Sequence, residues 1–351
     1  MLELAYKILI LSGIAAVLAL LLEIASAYLA DYGDSLITLN QEKEITIKGG
    51  NNLLFTLQEQ GVFIPSACGG RGTCAYCKVT VNEGGGPLLP TETPYLTPEE
   101  IKGNVRLSCQ VKVRNDLKIV IPEELFLVKE FKIKATRLYD LTPTIKGLDL
   151  EIISPEEGIT FKPGQYVQLE VPKFKLTKQP EYRAFSIASP KEDRHRVRLM
   201  VTRTPDGVVA IYVHDHLKEG EEMVMRGPYG DFYYRDSDRD LLLIATGSGL
   251  TPIRAILHHL ETERIARKTT LFFGGRRPDE LIDYEPIKEL EKKLSHFRYV
   301  PVLSRTTGQD HWEGEKGRVT DLIARHIQDN PSIDAYICGN PNMVDSCREL
   351  L

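Results

Sequence analysis

Cys68-Gly69-Gly70-Arg71-Gly72-Thr73-Cys74-Ala75-Tyr76-Cys77 is the stretch on which the reading of this chain turns. Its cysteines have the spacing C-x5-C-x2-C, and Cys109 follows 32 residues later. Thiolates so arranged let a short loop wrap one side of a compact [2Fe-2S] cluster while the fourth ligand arrives from elsewhere. Gly69, Gly70 and Gly72 carry no Cβ, so this backbone can curl tightly and aim its N–H groups at sulfur. The plant-type pattern has four residues between its first two cysteines, where this loop has five. A structural zinc site is the alternative, but such sites pair two C-x2-C knuckles, and only Cys74 and Cys77 form one.

Around that loop, residues 34–126 hold short β-rich runs such as Ile45-Thr46-Ile47 and Val79-Thr80-Val81, separated by Gly-rich turns, with one helical stretch from Leu53 to Gln60. The pattern predicts a small α+β domain. Ahead of it, Ile8 to Leu22 is apolar except for Ser12 and Gly13, and an Ala-rich stretch continues to Ala30. That length suits a membrane-spanning helix. Glu23 falls near the end of the span, where headgroups accept a carboxylate, and Tyr6 and Tyr28 mark interfaces. A cleaved signal peptide is the competing reading, resting on Lys7 and Ala25-Ser26-Ala27. Lys7 before the span and Asp31 and Asp34 after it argue against a cytoplasmic position for the rest of the chain.

Composition narrows the class. Four of the six cysteines lie within 42 residues, which suits metal binding in a reducing compartment better than disulfides. A net charge of −5, from 44 basic and 49 acidic residues with no basic run, excludes a nucleic-acid partner.

Beyond the cysteine domain, residues 131–234 stay strand-like, with runs at Tyr166–Val171 and Val197–Thr202 and turn signals at Pro163-Gly164, Asp206-Gly207 and Gly227-Pro228. An antiparallel barrel fits that spacing. From 238 to 351 the pattern changes: strand Leu241–Ala245 leads through glycines into a helix near Ile253–Glu263, and apolar strands follow at Thr270–Phe273 and Ala335–Cys338. This is the βαβ alternation of a parallel sheet.

Several segments carry candidate chemistry. A flavin dinucleotide needs an aromatic face, a donor near its N5, and cations or helix N-terminal amides for its pyrophosphate. Arg183-Ala184-Phe185-Ser186 and the amides of Val208, Val209 and Ala210 can supply these, though each segment alone reads as an ordinary strand or helix start. The run Thr246-Gly247-Ser248-Gly249-Leu250-Thr251-Pro252 sits between strand and helix, as a phosphate-cradling turn must, yet Pro252 departs from the Rossmann fingerprint. Cys338 and Gly339 put a soft thiol and a close-approach glycine at the carboxyl edge of the sheet, where ligands of open α/β folds lie; a packed core cysteine is the alternative. Cys347 reads as a small buried hydrophobe. Arg276 and Arg277 follow the second strand, where a cation meets a 2′-phosphate, but Asp279, Glu280 and Asp283 crowd the same loop and point to NADH. His195, His214, His216, His258 and His259 read as ordinary surface or structural residues.

Taken in order, Pro163-Gly164-Gln165-Tyr166, Arg183-x-Phe185-Ser186, Gly227-Pro228-Tyr229-Gly230-Asp231-Phe232, Thr246-Gly247-x-Gly249-x-x-Pro252 and Cys338-Gly339-x-Pro341-x-Met343 resemble the ferredoxin-NADP reductase superfamily fused to an N-terminal [2Fe-2S] ferredoxin. Within it the chain is most similar to the NADH-input subunits of sodium-translocating NADH:quinone reductases, which also begin with one membrane helix. Leu89-Pro90-Thr91-Glu92, Leu107-Ser108-Cys109-Gln110-Val111 and Ile121-Pro122-Glu123-Glu124-Leu125-Phe126 read like their ferredoxin domain.

The resemblance implies a transmembrane helix at 1–30, a β-grasp ferredoxin domain at 34–126, an antiparallel β-barrel flavin domain at 131–234 and a parallel-sheet nicotinamide domain at 238–351 with an incomplete C-terminal end. It implies FAD, NADH and a [2Fe-2S] cluster on Cys68, Cys74, Cys77 and Cys109. Arg183, Ala184, Phe185 and Ser186 would hold the flavin and residues 208–210 its pyrophosphate; Thr246, Gly247, Gly249, Thr251, Arg276 and Gly339 would hold NADH. Ser186 and Cys338 would stand at the hydride-transfer centre. Electrons would leave for membrane redox subunits, a quinone or a protein acceptor, with the soluble domains on the cytoplasmic side of the inner membrane. An oxygenase reductase, a corrinoid-protein activator and a non-turnover redox sensor remain alternatives. The chain departs from the family in Phe185 for Tyr, in Ala210 for a capping Ser or Thr, in lacking long insertions of the flavin domain, and in ending eight residues after Met343.

Overall fold

Buried Ile37 and Leu39 alternate with half-buried Leu36 and Thr38 along β1 (Asp34–Leu39), and the same two-residue period buries Ile45 and Ile47 in β2 (Lys43–Lys48) and Val79 and Val81 in β3 (Lys78–Glu83). In the computed structural model, which describes residues 2–29, 32–307, 309–328 and 332–351, these strands belong to the first of two compact units, Met1–Leu127 and Val128–Leu351. With β4 (Val105–Leu107) and β5 (Leu117–Val120) they form a mixed sheet of order β2-β1-β5-β3-β4. Helix α2 (Leu53–Glu59), capped by the Asn52 side chain, packs Leu53, Leu54 and Leu57 into the same core. A short α3 (Pro98–Lys102), closed by a Thr97–Glu100 capping box, precedes β4.

Helix α1 (Leu2–Leu29) is 28 residues long. Its described side chains from Leu9 to Leu21 are all exposed. Among the described residues no helix is long and apolar enough to cross a membrane. The expected end of the anchor at Ala30 lies outside the described residues.

In the second unit, β6 (Lys129–Thr142), β7 (Ile145–Ser154), β8 (Tyr166–Val171), β9 (Glu181–Ser186), β10 (Arg196–Thr202) and β11 (Glu222–Tyr229) make a barrel-like antiparallel sheet of order β10-β7-β6-β11-β8-β9. Its two ends approach through Ala188 N–H donating to the Arg198 carbonyl at 2.9 Å. Helix α4 (Val208–Asp215) buries Val209 and Val213 in the barrel core. Two motifs far apart in sequence meet here: Tyr166 and Tyr229 are register partners with rings 5.5 Å apart, and Gln165 Nε2 donates to the Gly230 carbonyl at 3.1 Å.

The remaining strands, β12 (Asp240–Thr246), β13 (Thr269–Gly275), β14 (Phe297–Leu303), β15 (Glu315–Lys316) and β16 (Ile333–Cys338), form a parallel sheet of order β15-β14-β13-β12-β16. Odd-numbered residues of β12 face α5 (Leu250–Thr262) and α6 (Tyr284–Lys293); even-numbered ones face α7 (Val319–Gln328) and α8 (Pro341–Leu350). Both faces are covered, which is why β12 is an unbroken apolar run. Ile145, Ala188 and Met200 of the barrel share the core of this sheet's α5 side, so the two layers pack as one unit.

Candidate functional site

The cysteine loop runs from α2 to β3, and Cys109 lies two residues beyond β4. Chain reversal at Gly70 (φ +81°) and Gly72 (φ +75°) turns Cys68 and Cys74 toward one another, with sulfurs 3.4 Å apart; Cys77 and Cys109 form a second pair at 3.4 Å. Cys68, Cys77 and Cys109 are buried and Cys74 is half-buried. Donation from Cys74 lowers the Cys68 thiol to about 3 against the opposing effect of burial, and donation from Cys77 lowers Cys109 to about 7. Their donors Cys74 and Cys77 are pushed up by the same bonds and by burial. Four sulfurs this close and this shielded from water are held together as thiolates around a cation. The donor set and its burial fit an iron-sulfur cluster.

A buried ion pair holds the segment leading to Cys109. Glu92 is fully buried and accepts from Arg106 Nη2 at 2.6 Å and from the Leu107 N–H at 2.9 Å, while Arg106 Nη1 donates to the Gly85 and Gly86 carbonyls. Burial raises the Glu92 carboxyl, but the Arg106 bond and the Leu89 and Leu107 amides override it and leave it below its ordinary value.

The second site is a cleft of about 1050 Å³ where the barrel meets the parallel sheet. Ala184, Phe185 and Ser186 from β9, Thr246, Gly247, Gly249 and Thr251 from the turn after β12, Arg276 from the end of β13, and Cys338 and Gly339 from the end of β16 all line it. A cleft of this size, with backbone amides at a strand-to-helix turn, fits dinucleotide cofactors. Gly339 (φ +147°) is required by close approach, since a Cβ there would strike Thr246 Oγ1. The Thr246 hydroxyl in turn accepts the Asn340 N–H at 3.0 Å, which locks the two strand ends together. Burial raises the Cys338 thiol to about 11, so it stands in the cleft as a neutral thiol.

The cleft does not gather every expected residue. Arg183 is turned away, its Nη1 donating to Glu181 Oε2 at 3.1 Å and to the Tyr182 carbonyl at 2.6 Å. Val208, Val209 and Ala210 open α4 after Gly207, with no side-chain cap, and do not line the cleft. Arg276 is bound to Glu280 at 2.6 Å, and Glu280 also accepts the Arg276 N–H at 2.8 Å, so this cation is compensated. Sequence reasoning missed Thr202, whose hydroxyl donates to Ser248 Oγ at 2.7 Å and ties the barrel to the glycine turn, and also Ser304, Arg305 and Arg318 of the lining. Cys347 is fully buried among α7, α8 and β12. Glu192, His259 and Glu263 bring ligand atoms within 4.8 Å of one another, but Lys191 already bridges Glu263 at 2.9 Å and supplies the positive charge there.

Three family models match the chain in order: a 2Fe-2S iron-sulfur cluster binding domain at 37–114, an oxidoreductase FAD-binding domain at 133–234 and an oxidoreductase NAD-binding domain at 243–349. The F-subunit of the Na(+)-translocating NADH-quinone reductase of Neisseria gonorrhoeae is 32% identical over 389 aligned positions, covering 99% of this chain and 96% of that protein. Its counterpart from Klebsiella pneumoniae is 31% identical, covering 97% and 94%. An alignment longer than the chain's 351 residues reflects insertions in the relatives that this chain lacks. Among solved structures, an Amycolatopsis cytochrome P450 reductase superposes with a TM-score of 0.71 at 24% identity, covering 90% of this chain and 94% of that one. The ferredoxin reductase in carbazole 1,9a-dioxygenase gives 0.67 at 22%, covering 91% and 94%. Those two likenesses concern the fold.

Proposed function

The chain belongs to the F-subunit family of the Na(+)-translocating NADH-quinone reductases, and from that premise we propose that it is anchored by α1 in the inner membrane and passes electrons from NADH to a quinone-reducing partner there. It is an NADH-dependent oxidoreductase whose electrons run from NADH through FAD to a [2Fe-2S] cluster. FAD, when bound, supplies the conversion between a two-electron hydride and a one-electron cluster. The observation that carries the reading is the shared cleft onto which Phe185, Ser186, the Thr246–Thr251 turn and Cys338 all open.

In this reading Phe185 and Ser186 would hold the flavin ring, by an aromatic face and a hydroxyl donor, and the turn amides would hold the NADH pyrophosphate. Cys338, a neutral thiol, would pack beside the nicotinamide and keep water from it. Arg183 would hold the flavin phosphates on leaving Glu181, and the α4 amides would complete that pocket. Cys68, Cys74, Cys77 and Cys109 hold the cluster. Division of labour follows residues 1–30, 34–126, 131–234 and 238–351.

The exposed apolar stripe from Leu9 to Leu21 supports membrane anchoring, with the soluble domains on the cytoplasmic side where NADH is found. Deleting residues 1–30 tests it. The truncated protein should move to the soluble fraction, keep NADH oxidation with an artificial acceptor and lose quinone reduction in membranes; retention in carbonate-washed membranes would overturn the anchor.

A further inference from the structure

We propose that Gln110 tunes the cluster's reduction potential: its carboxamide, oriented by Thr91, donates a hydrogen bond to the Cys109 sulfur and stabilises the reduced state. The inference rests on the cluster reading above.

The geometry is a short chain of contacts. Gln110 Nε2 lies 3.6 Å from Cys109 Sγ as donor. The other end of the same carboxamide is held by the Thr91 hydroxyl, which donates to Gln110 Oε1 at 3.0 Å. An amide has one oxygen and one nitrogen end, so engaging the oxygen with Thr91 commits the nitrogen to sulfur. Thr91 is itself fixed, because its neighbour Glu92 is buried and bound to Arg106 and to the Leu107 N–H on the strand that leads to Cys109. The donor and its acceptor are therefore built on two segments clamped together by one ion pair.

The loop makes room for this side chain. A Cβ on Gly72 would lie 2.7 Å from Gln110 Nε2, so any other residue at 72 would push the carboxamide off its sulfur. Cys109 is 6% exposed, so little water competes for the bond. An added electron increases the negative charge on the sulfur ligands, so a donor there is worth more in the reduced state than in the oxidised one. Removing it lowers the potential. Gln110 does not ligate the metal; it acts through Cys109, as a positioning residue.

The test is a redox titration of the cluster followed by electron paramagnetic resonance in the full chain, with the flavin midpoint as internal reference. Gln110→Leu, which keeps the bulk and removes the donor, should weaken electron uptake about tenfold, or ~59 mV for one electron. Thr91→Val, on the surface and touching no cysteine, should shift the midpoint the same way by less. Unmoved or raised midpoints in both variants overturn the inference. If Gln110→Leu fails to retain iron, Thr91→Val decides alone: a lowered midpoint supports the proposal and an unmoved one overturns it. A wild-type protein lacking acid-labile sulfide would overturn the cluster reading, and this inference with it; a cluster present with unmoved midpoints overturns the inference alone.

Discussion

The cysteine loop and the nucleotide cleft reach a working geometry by opposite routes. In the loop, three of four ligands come from ten consecutive residues and their sulfurs crowd so closely that two of the four are pushed toward the neutral thiol. That site depends on what it binds. The cleft draws its lining from separate strand ends, two of which are held together by the close approach of Gly339 to Thr246 and the Asn340 N–H bond to the Thr246 hydroxyl. One site gathers its ligands along a single loop, whereas the other is assembled by packing of distant segments.

The largest expected effects separate the two sites outright. Cys77→Ser should leave purified protein with little or no iron and no cluster resonance while flavin absorbance and its bleaching by NADH persist. Gly339→Ala should do the reverse: a Cβ at φ +147° against the Thr246 side chain parts the strand ends, raising the KM for NADH at least tenfold with iron content unchanged. A variant that disabled both sites would show that they do not form independently.

Next in size is the Glu92–Arg106 pair. Arg106→Met strands a buried carboxylate and should destabilise the first unit by ~3–5 kcal/mol, read as a lowered unfolding midpoint in denaturant. The pair also fixes a pH dependence. Because the Glu92 carboxyl lies below its ordinary value in the folded chain, its contribution is fully present above the unfolded Glu value and is lost as pH falls through the folded one. The first unit should therefore lose stability on acidification, and Glu92→Gln should flatten that part of the profile; an unchanged profile would remove Glu92 as its cause.

The smallest effect belongs to the cleft. Arg276 and Glu280 form a partly exposed surface pair, worth ~0–1 kcal/mol in stability, yet their charges cancel where a 2′-phosphate would meet them. Glu280→Gln should raise kcat/KM for NADPH severalfold and leave the value for NADH nearly unchanged, and equal changes for both cofactors would exclude a discriminating role.

The same contrast explains what is legible in the sequence. Ligands packed into one loop announce themselves by spacing, and the strand-glycine-helix run at Leu241–Pro252 shows its role by context. The helix expected from Leu53 to Gln60 is observed at Leu53–Glu59, and the strand expected at Ala335–Cys338 starts two residues earlier, at Ile333. Thr202, Ser304 and Arg318 are invisible in the sequence because a polar residue at a strand end looks like any loop residue until tertiary packing brings it to the cleft. The Arg183–Glu181 pair is within reach of sequence reasoning, since residues two apart on a strand share a face. Nothing local marks Glu92 and Arg106 as partners; 14 residues separate them and only burial pairs them. The membrane anchor is read from the apolar run and the residues at its ends, whereas among the described residues no helix is long and apolar enough to cross a membrane.

Anaerobic titration of the purified protein with NADH, followed in one sample by flavin absorbance and low-temperature electron paramagnetic resonance, tests the account most directly. The account predicts that the flavin bleaches and a [2Fe-2S] resonance appears with substoichiometric NADH. A flavin that bleaches while the iron stays silent, or one that does not bleach at all, would contradict it.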